Sequence, residues 1–304
     1  FKYHLLTLVR CFNLSLACII GFVVISTSSE LMGAIPLAKA EAAPSKHRKE
    51  VKTVVNVMDL EGLLADEDWN AVEVAKQLAQ KAWPALVSGS RMHSFRSRQI
   101  SMVGAGAVGG NSAKNILLSG LSDKHANVRI AAASQLSHTP PKNAYLEIVQ
   151  HMRVCEEDNI CSLLIKGVGH FPGEQSIATV LEVSQQNSEL QEVTQLVLAK
   201  LNHAPSRQAQ LDLFASGSAF TRYMAVLDLL YINDISLASF AKSLLKDKAV
   251  AVTIGTPYDE SHRRVCDQAV DTLVQLLALT PSFLIAAETI YSDAQIAEVS
   301  SLVP

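Results

Sequence analysis

The residues whose spacing is most typical of ligand chemistry are three glycines, Gly104, Gly106 and Gly109. In a dinucleotide-binding enzyme, glycines at this spacing follow a strand and open a helix, so that the backbone can approach a pyrophosphate. Such a site also needs an acidic residue about 20 positions further on to hold the ribose. The chain has no Asp or Glu from Lys124 to Leu146. We therefore predict no cofactor and expect the glycines to allow close helix packing and turns.

A second group of reactive side chains ends the segment 249–261, which has no helical face. Residues 257–264 have the sequence PYDESHRR, which combines an aromatic ring, two acids, a histidine and two arginines. Long loops in compact arrays often carry function, and Tyr and Arg are favoured at binding hot spots. We therefore predict a loop insertion at 249–261, with a tolerated surface insertion as the alternative. The residues predicted to bind a protein there are Tyr258, Asp259, His262, Arg263 and Arg264.

The sequence has no recognisable pair of nucleophile and base, no phosphate-binding loop and no Cys/His set with zinc-ligand spacing. We therefore predict neither catalytic residues nor a metal ion. The histidines at His138, His170 and His203 lie about one repeat apart, too far to share one metal, and we expect their rings to hydrogen-bond carbonyls at helix ends. A cleft that gathers Asp259, Glu260, His262 and an arginine would instead favour an enzyme.

Composition limits the partners and the compartment. The chain has 304 residues, is 49% hydrophobic and carries a net charge of -3, so we predict no nucleic-acid partner. The basic stretch 91–98 is expected to form a solvated face or an ion pair between repeats, with an anion-binding site as the alternative. Cys155 and Cys161 flank the sequence EEDNI and could form a small-loop disulfide in an oxidising compartment, with two separate thiols as the alternative.

The first forty residues differ from the rest of the chain. Lys2 and Arg10 precede an apolar run at 11–26, and small residues that suit a cleavage site follow it. We predict a secretory signal peptide over 1–40, a linker over 41–50, and export to the periplasm or another part of the cell envelope. The alternative is a membrane anchor formed by residues 11–26, which would be the protein's sole membrane contact. That run is short for the ~20 residues that a spanning helix needs.

Beyond residue 50, apolar residues recur at helical spacing. Four segments carry apolar or small residues at i, i+3, i+4 and i+8, which is one face of a helix, and a second apolar helix follows each of them. Proline ends the first helix in three copies. The turns between the helices are expected at Gly110, His138, His170 and His203, with Tyr231 at the turn of a looser fifth copy. This pattern predicts an all-α array of antiparallel helix pairs over 51–304.

The segment 121–136, LSDKHANVRIAAASQL, resembles the HEAT-repeat pattern. In that pattern an aspartate ends one unit, Val-Arg opens the next helix and small alanines let neighbouring helices pack closely. Asp123, Val128, Arg129, Ala131 and Ala132 fill those positions. The resemblance is good over 96–152 and moderate to about residue 249. It implies an α-α superhelix and commonly a protein-binding scaffold, although HEAT-like folds also include enzymes.

These observations predict an exported, non-catalytic scaffold of the cell envelope that binds another protein through its stacked second helices. The contact residues expected on those helices are Lys114, Asn143, Glu147 and Gln150. The main alternative is a HEAT-like lyase or hydrolase with an active site in a groove. An NAD(P)-binding oxidoreductase and a membrane-tethered scaffold are the remaining alternatives.

Overall fold

The protein is known from a computed structural model that describes residues 56–256, 259–286 and 288–304, without the side chains of 255–259. The predicted signal peptide or anchor, the linker and Tyr258 lie outside the described residues. The described chain is helical apart from one hairpin, so the predicted all-α fold is confirmed. None of its helices is both long enough and apolar enough to cross a membrane. The chain forms two compact units, unit 1 up to Pro141 and unit 2 from Lys142.

The helices of unit 1 follow one another through short turns. Helices α4 and α6, the first helices of successive pairs, pack side by side, and α5 packs against both of them. The elements of unit 1 are α1 (Val57–Ala65), α2 (Asn70–Leu78), a 3-10 turn (Ala79–Ala82), α3 (Trp83–Gly89), α4 (Phe95–Val108), α5 (Ala113–Leu121) and α6 (Ala126–His138).

The glycines of the dinucleotide-like motif are packing and turn residues. Ile100 to Val103 lie inside α4, so no strand leads into the motif and the NAD(P) alternative loses its binding loop. A Cβ atom added to Gly104 would lie 2.8 Å from Leu86 Cδ2 of α3. Gly109 ends α4 with a φ of +70°, a conformation that glycine adopts without strain. The predicted role of these glycines is therefore confirmed.

Unit 2 continues the helix pairs and adds one hairpin. Its elements are α7 (Tyr145–Arg153), α8 (Asp158–Val168), α9 (Glu174–Gln186), α10 (Gln191–Lys200), α11 (Ala204–Asp212), α12 (Ala219–Ile232), α13 (Ala238–Ser243), β1 (Val250–Thr256), β2 (Asp259–Arg264), α14 (Val265–Leu276) and α15 (Asp293–Leu302). Short 3-10 turns lie at Ser188–Leu190, Leu213–Ala215, Ile235–Leu237 and Leu244–Lys246.

The core of unit 2 lies between its stacked first helices. Helix α10 packs against α8 and α12, and α12 packs against α14. Val226 and Leu229 of α12 and Leu273 of α14 are fully buried in this core. Tyr231 lies within α12 and not at the predicted turn, because the helix continues to Ile232 and ends at the left-handed Asn233. Cys155 and Cys161 form a disulfide with their Cα atoms 5.7 Å apart.

The segment 249–261 is not the predicted loop insertion but most of an antiparallel β-hairpin. Val250 pairs with Arg264 and Thr253 pairs with His262, with a bulge between Val250 and Val252. Strand β1 is rich in β-branched residues, which favour extended backbone. Val252 packs against the unit 2 core, so this strand has a buried side that a loop would lack.

One arginine contact recurs along the chain. Arg98, Arg129 and Arg222 each donate a hydrogen bond to the main-chain carbonyl six residues earlier. Arg98 and Arg222 also pair with an aspartate 25 residues later, Asp123 and Asp247 respectively. In Arg98 and Arg222, an arginine near the start of a helix therefore joins the turn before that helix to the segment that precedes the next helix pair.

The close packing of α5 against its neighbours can be tested by adding a methyl group at Gly120. A Cβ atom added to Gly120 would meet the Sδ atom of Met102 and lie 2.8 Å from the Cβ of Ala132, which is fixed to the backbone of α6. We expect Gly120→Ala to lower the free energy of unfolding by about 1 to 3 kcal/mol. Urea unfolding followed by tryptophan fluorescence measures this change in unit 1, because both tryptophans of the chain, Trp69 and Trp83, lie there.

Gly62→Ala is the matched control for this substitution. An added Cβ atom at Gly62 of α1 would meet nothing within 4 Å. Alanine is a better helix former than glycine, so this variant should gain about 0.5 to 1 kcal/mol. A Gly120→Ala variant as stable as Gly62→Ala would contradict the close packing of α5 on α6.

Candidate functional site

The described residues of unit 1 form an open cleft of about 750 Å³. It lies between the turn that follows α3, the start of α5 and the connection between α5 and α6. Val87, Met92 and Ile116 supply its apolar floor. A cleft of this volume is within the range of small-molecule and cofactor sites.

Arg98 fixes the shape of this cleft. Its Nη1 atom donates hydrogen bonds to the carbonyls of Met92, at 3.0 Å, and His93, at 2.8 Å, which holds the turn between α3 and α4. Its Nε and Nη2 atoms donate to the two carboxylate oxygens of Asp123, at 2.6 and 2.9 Å. Ser94 begins α4 by accepting a hydrogen bond from the Arg96 N–H. The turn and the connection on the other side of the cleft are therefore joined through one guanidinium.

The Arg98–Asp123 pair is a buried ion pair with side-chain exposures of 8% and 12%. Hydrogen bonds from Arg98 hold the pKa of Asp123 below its ordinary value, and the same bonds raise the pKa of Arg98. Asp123 also accepts a hydrogen bond from the His125 N–H at 2.8 Å. Both partners therefore remain charged at neutral pH, and their charges cancel each other in the wall of the cleft.

The rim of the cleft carries two cationic side chains, Arg91 and Lys124, and the imidazole of His93. Arg91 and His93 lie on the exposed turn after α3, and Lys124 lies on the exposed connection after α5. Within the part of the chain that the structure describes, none of these three side chains forms an ion pair. The cleft therefore has a net positive potential over an apolar floor, which suits a ligand with an anionic group.

The charge distribution along the chain strengthens this conclusion. Residues 74–141 contain eight Lys and Arg residues and one acidic residue, Asp123, whose charge is already paired with Arg98. Residues 142–304 contain eleven Lys and Arg residues and nineteen Asp and Glu residues. The net charge of -3 for the whole chain therefore conceals a basic stretch around the cleft.

The cleft combines groups that can bind an anion and move a proton. Arg91 and Lys124 are permanent donors to carboxylate or phosphate oxygens. His93 supplies an imidazole, the commonest general base and acid in enzymes. Asn115, whose exposed side chain also lines the cleft, adds a neutral donor and acceptor. This arrangement can bind an anionic substrate and exchange a proton with it.

The hairpin residues predicted to bind a protein are only partly available. His262 is exposed on β2, with its Nδ1 atom 3.1 Å from Thr253 Oγ1 on β1. Arg263 is 4% exposed, which corrects its assignment as a contact residue. The side chain of Asp259 lies outside the described residues, as does Tyr258.

The two arginines of β2 hold the hairpin on α14. Arg263 donates to Asp271 at 2.6 Å, and Arg264 forms a paired hydrogen bond with Asp267 at 2.7 and 3.0 Å. Burial raises the pKa of Asp271. Burial would also raise the pKa of Asp267, but hydrogen bonds from Arg264 lower it below its ordinary value. Tyr291 joins the network, because its hydroxyl donates to Asp271 at 2.6 Å. These arginines therefore hold the hairpin against α14.

The remaining predicted contact residues are distributed over both units. Lys114 is half-buried on α5 of unit 1. In unit 2, Asn143 is exposed just before α7, Glu147 is half-buried on α7, and Gln150 is exposed on the same helix. Their role in binding a protein stays a prediction.

The turn histidines have three different environments. His138 Nδ1 lies 2.7 Å from the carbonyl of Ser134 near the end of α6, as predicted for a histidine at a helix end. His203 instead lies 2.9 Å from the hydroxyl of Ser206. His170 packs edge-on against Tyr231. No group of three His, Cys, Asp or Glu side chains among the described residues is arranged to hold a metal ion.

Comparison with known proteins identifies the fold. No family model matches the chain, and no curated protein matches it. The chain is similar to the solved complex of CpcE and CpcF of phycocyanin lyase from Nostoc sp. PCC7120. The similarity covers 89% of this chain and 98% of that chain, at 15% sequence identity and a TM-score of 0.51. At this identity the likeness establishes the fold, a HEAT-like helical solenoid.

The comparison corrects the main functional prediction. A non-catalytic scaffold was inferred because the sequence has no catalytic motif and resembles HEAT repeats. The similar solved structure is that of a phycocyanin lyase, so this fold does not imply a non-catalytic scaffold, and the scaffold prediction is not retained.

Sequence reasoning did not assign the cleft. The stretch 91–98 was expected to form a solvated face or an ion pair between repeats, and Arg98 does form such a pair with Asp123. Arg91 and His93 nevertheless line the cleft with Lys124, which follows 33 and 31 residues later. The signal that could have identified the cleft is the near absence of acidic residues over 74–141.

The pairing of Asp123 predicts a pH-dependent stability. Because the pKa of Asp123 is lowered in the folded protein, its contribution is fully present above the ordinary aspartate pKa and is lost as the pH falls through the folded value. Asp123→Asn should therefore lower the free energy of unfolding by about 3 kcal/mol at neutral pH, where it leaves Arg98 without its partner. The loss should shrink as the pH falls below the ordinary aspartate pKa and through the lowered pKa of Asp123. Urea unfolding followed by tryptophan fluorescence checks both values.

The control for this prediction is Arg96→Ala in the same helix. Arg96 is 63% exposed and lies 3.9 Å from Glu67, so its removal should cost less than about 1 kcal/mol. If the Asp123→Asn variant loses the same stability at neutral pH and below the ordinary aspartate pKa, the ion pair is not the source of the effect.

Proposed function

We propose that this chain is a HEAT-like lyase whose substrate binds in the cleft of unit 1. The observation that carries the proposal is the pair of cationic side chains, Arg91 and Lys124, that lie without counter-ions beside the imidazole of His93 at the rim of a cleft of about 750 Å³. The fold supports it, because a lyase of the same fold is known over nearly the whole length of the chain.

In the proposed reaction, Arg91 and Lys124 bind an anionic group of the substrate. They thereby stabilise negative charge on the neighbouring carbon in the transition state. His93 removes the proton from that carbon, and the electron pair of the C–H bond forms a double bond. The bond to the leaving group breaks, and the leaving group departs with its electron pair. The His93 imidazolium then returns the proton to the leaving group, so the reaction needs no water, oxidant or reductant.

The fixed turn between α3 and α4 gives this arrangement its geometry. The Arg98 hydrogen bonds to the carbonyls of Met92 and His93 hold the backbone from which the His93 and Arg91 side chains extend. A rigid backbone lowers the cost of ordering the catalytic groups when substrate binds. Arg98 and Asp123 therefore act as positioning residues.

The lyase is proposed to act together with another protein. The similar solved structure is a complex of two chains, CpcE and CpcF, which supports a protein partner for this chain.

Export to the cell envelope through the signal peptide at residues 1–40 is part of the same proposal, and it rests on the sequence pattern alone.

A mass-balance experiment tests the reaction class. The purified chain is incubated with a soluble extract of cells that produce it, and both proteins and small molecules are analysed by mass spectrometry. A lyase converts one species into two, or two into one, and the masses balance with nothing gained or lost. A hydrolase would instead add one water molecule to the sum of the products.

The matched variant for this experiment is His93→Gln, which keeps the cations at Arg91 and Lys124. We expect it to fold like the native chain, as judged by tryptophan fluorescence, and to lose at least about 100-fold of the activity. A wild-type chain that produces no mass-balanced conversion, or a His93→Gln variant that produces the same one, would reject the proposal.

A further inference from the structure

The cleft of unit 1 has a second property besides its positive rim, namely the apolar side chains of its lining. Val87 and Met92 are half-buried there, and Ile116 is 5% exposed. Two of the serines that line the cleft, Ser90 and Ser119, direct their hydroxyl protons to the carbonyls of Val87 and Ile116. Their oxygen atoms remain able to accept a hydrogen bond from the N–H groups of an extended chain.

We infer that the cleft binds a protein segment in which acidic and apolar side chains alternate, and that the proposed lyase recognises its protein substrate through that segment. The statement that the segment belongs to a substrate rests on the proposed function. The binding of such a segment can be measured whether or not the chain is a lyase. The acidic side chains would pair with Arg91 and Lys124, and the apolar side chains would cover Val87 and Met92.

Charge complementarity is the first argument for this occupant. The stretch 74–141 has a single acidic residue, and that residue is neutralised by Arg98 inside the wall of the cleft. A segment with two or more carboxylates would neutralise Arg91 and Lys124, which have no partner among the described residues. Acidic motifs are commonly recognised by such cationic clusters.

The apolar floor is the second argument, because it separates a peptide from other anions. A free phosphate or a small carboxylate would leave the exposed parts of Val87 and Met92 in contact with water. A nucleic acid would need flat aromatic side chains on which its bases could stack, and no Phe, Tyr or Trp lines the cleft as it is described. A peptide with alternating side chains can place carboxylates on the rim and leucines on the floor at the same time.

Fluorescence anisotropy with labelled peptides tests the inference on the full chain. The probe is a fluorescein-labelled peptide of alternating Glu and Leu residues, and its control is the same peptide with every Leu replaced by Ser. Both peptides have the same charge. We expect the Glu-Leu peptide to bind at least about tenfold more tightly, because only its leucines bury apolar surface in the cleft.

Matched variants locate the binding. Arg91→Ala/Lys124→Ala should weaken binding of the Glu-Leu peptide at least about tenfold and reduce its dependence on salt. Lys76→Ala/Lys81→Ala removes the same charge from side chains that do not line the cleft, and it should change the affinity less than about threefold. Equal effects of the two double variants would place the binding elsewhere and overturn the inference.

Three further outcomes would also overturn it. The first is complete competition by inorganic phosphate or citrate at the same carboxylate or phosphate concentration, which would indicate a small-anion site. The second is tighter binding of a labelled single-stranded oligonucleotide, which would indicate a nucleic-acid partner. The third is salt-sensitive self-association in sedimentation velocity that disappears in Arg91→Ala/Lys124→Ala while the peptide fails to compete, which would indicate a second copy of this chain.

Peptide binding and mass-balanced conversion, measured on the same wild-type chain, separate the failure of this inference from the failure of the lyase proposal. If the peptide does not bind but mass-balanced conversion occurs, the inference fails and the lyase proposal stands. If the peptide binds as expected but no conversion occurs, the lyase proposal fails and the cleft remains a site for an acidic protein segment.

Discussion

The guanidinium of Arg98 is held on one side by two main-chain carbonyls of a turn and on the other by both carboxylate oxygens of Asp123. A buried charge that loses its partner costs several kcal/mol, so the turn and the connection 25 residues later are held in one relative position. The cleft lies between those two segments. The same type of contact recurs in unit 2, where Arg222 joins Ser216 and Asp247.

The helices could be predicted from the sequence because packing imposes a period that is visible locally. Apolar residues at i, i+3, i+4 and i+8 mark the buried faces of α4, α6, α8 and α10. Each of these helices ends shortly before a glycine or a proline. The hairpin was missed for a related reason. The segment 249–261 was recognised by the lack of a helical face, but its β-branched residues were not interpreted as a strand with one side on the core.

The site was harder to predict because its residues are brought together across repeats. Arg91 and Lys124 are 33 positions apart, and neither belongs to a motif. Arg263 belongs to a conspicuous cluster of charges but is buried against Asp271, since the bulged hairpin turns it towards α14. Burial and pairing decide which charges of this chain are available to a ligand. Those properties depend on the packing of elements and not on the residue types.

Positive and negative charges are distributed unevenly along the chain. The basic stretch around the cleft and the acidic remainder partly cancel in the total charge, so the total gives no indication of the cleft. A HEAT-like array suits this design, because each helix pair buries its core against its neighbours and leaves the exposed turns free to carry different charges. The cleft can thus be cationic on an apolar floor while the fold around it remains intact.

The most direct test of the cleft as the binding site is histidine footprinting. Three histidines in the described part of the chain are exposed, namely His93 at the cleft, His138 at the end of α6 and His262 on the hairpin. Their rates of carbethoxylation by diethyl pyrocarbonate are measured by peptide mass spectrometry, with and without a saturating Glu-Leu peptide. Our account predicts that the peptide slows the reaction of His93 and leaves that of His262 unchanged. Slower reaction of His262 with no change at His93 would contradict it and place the binding surface on the hairpin.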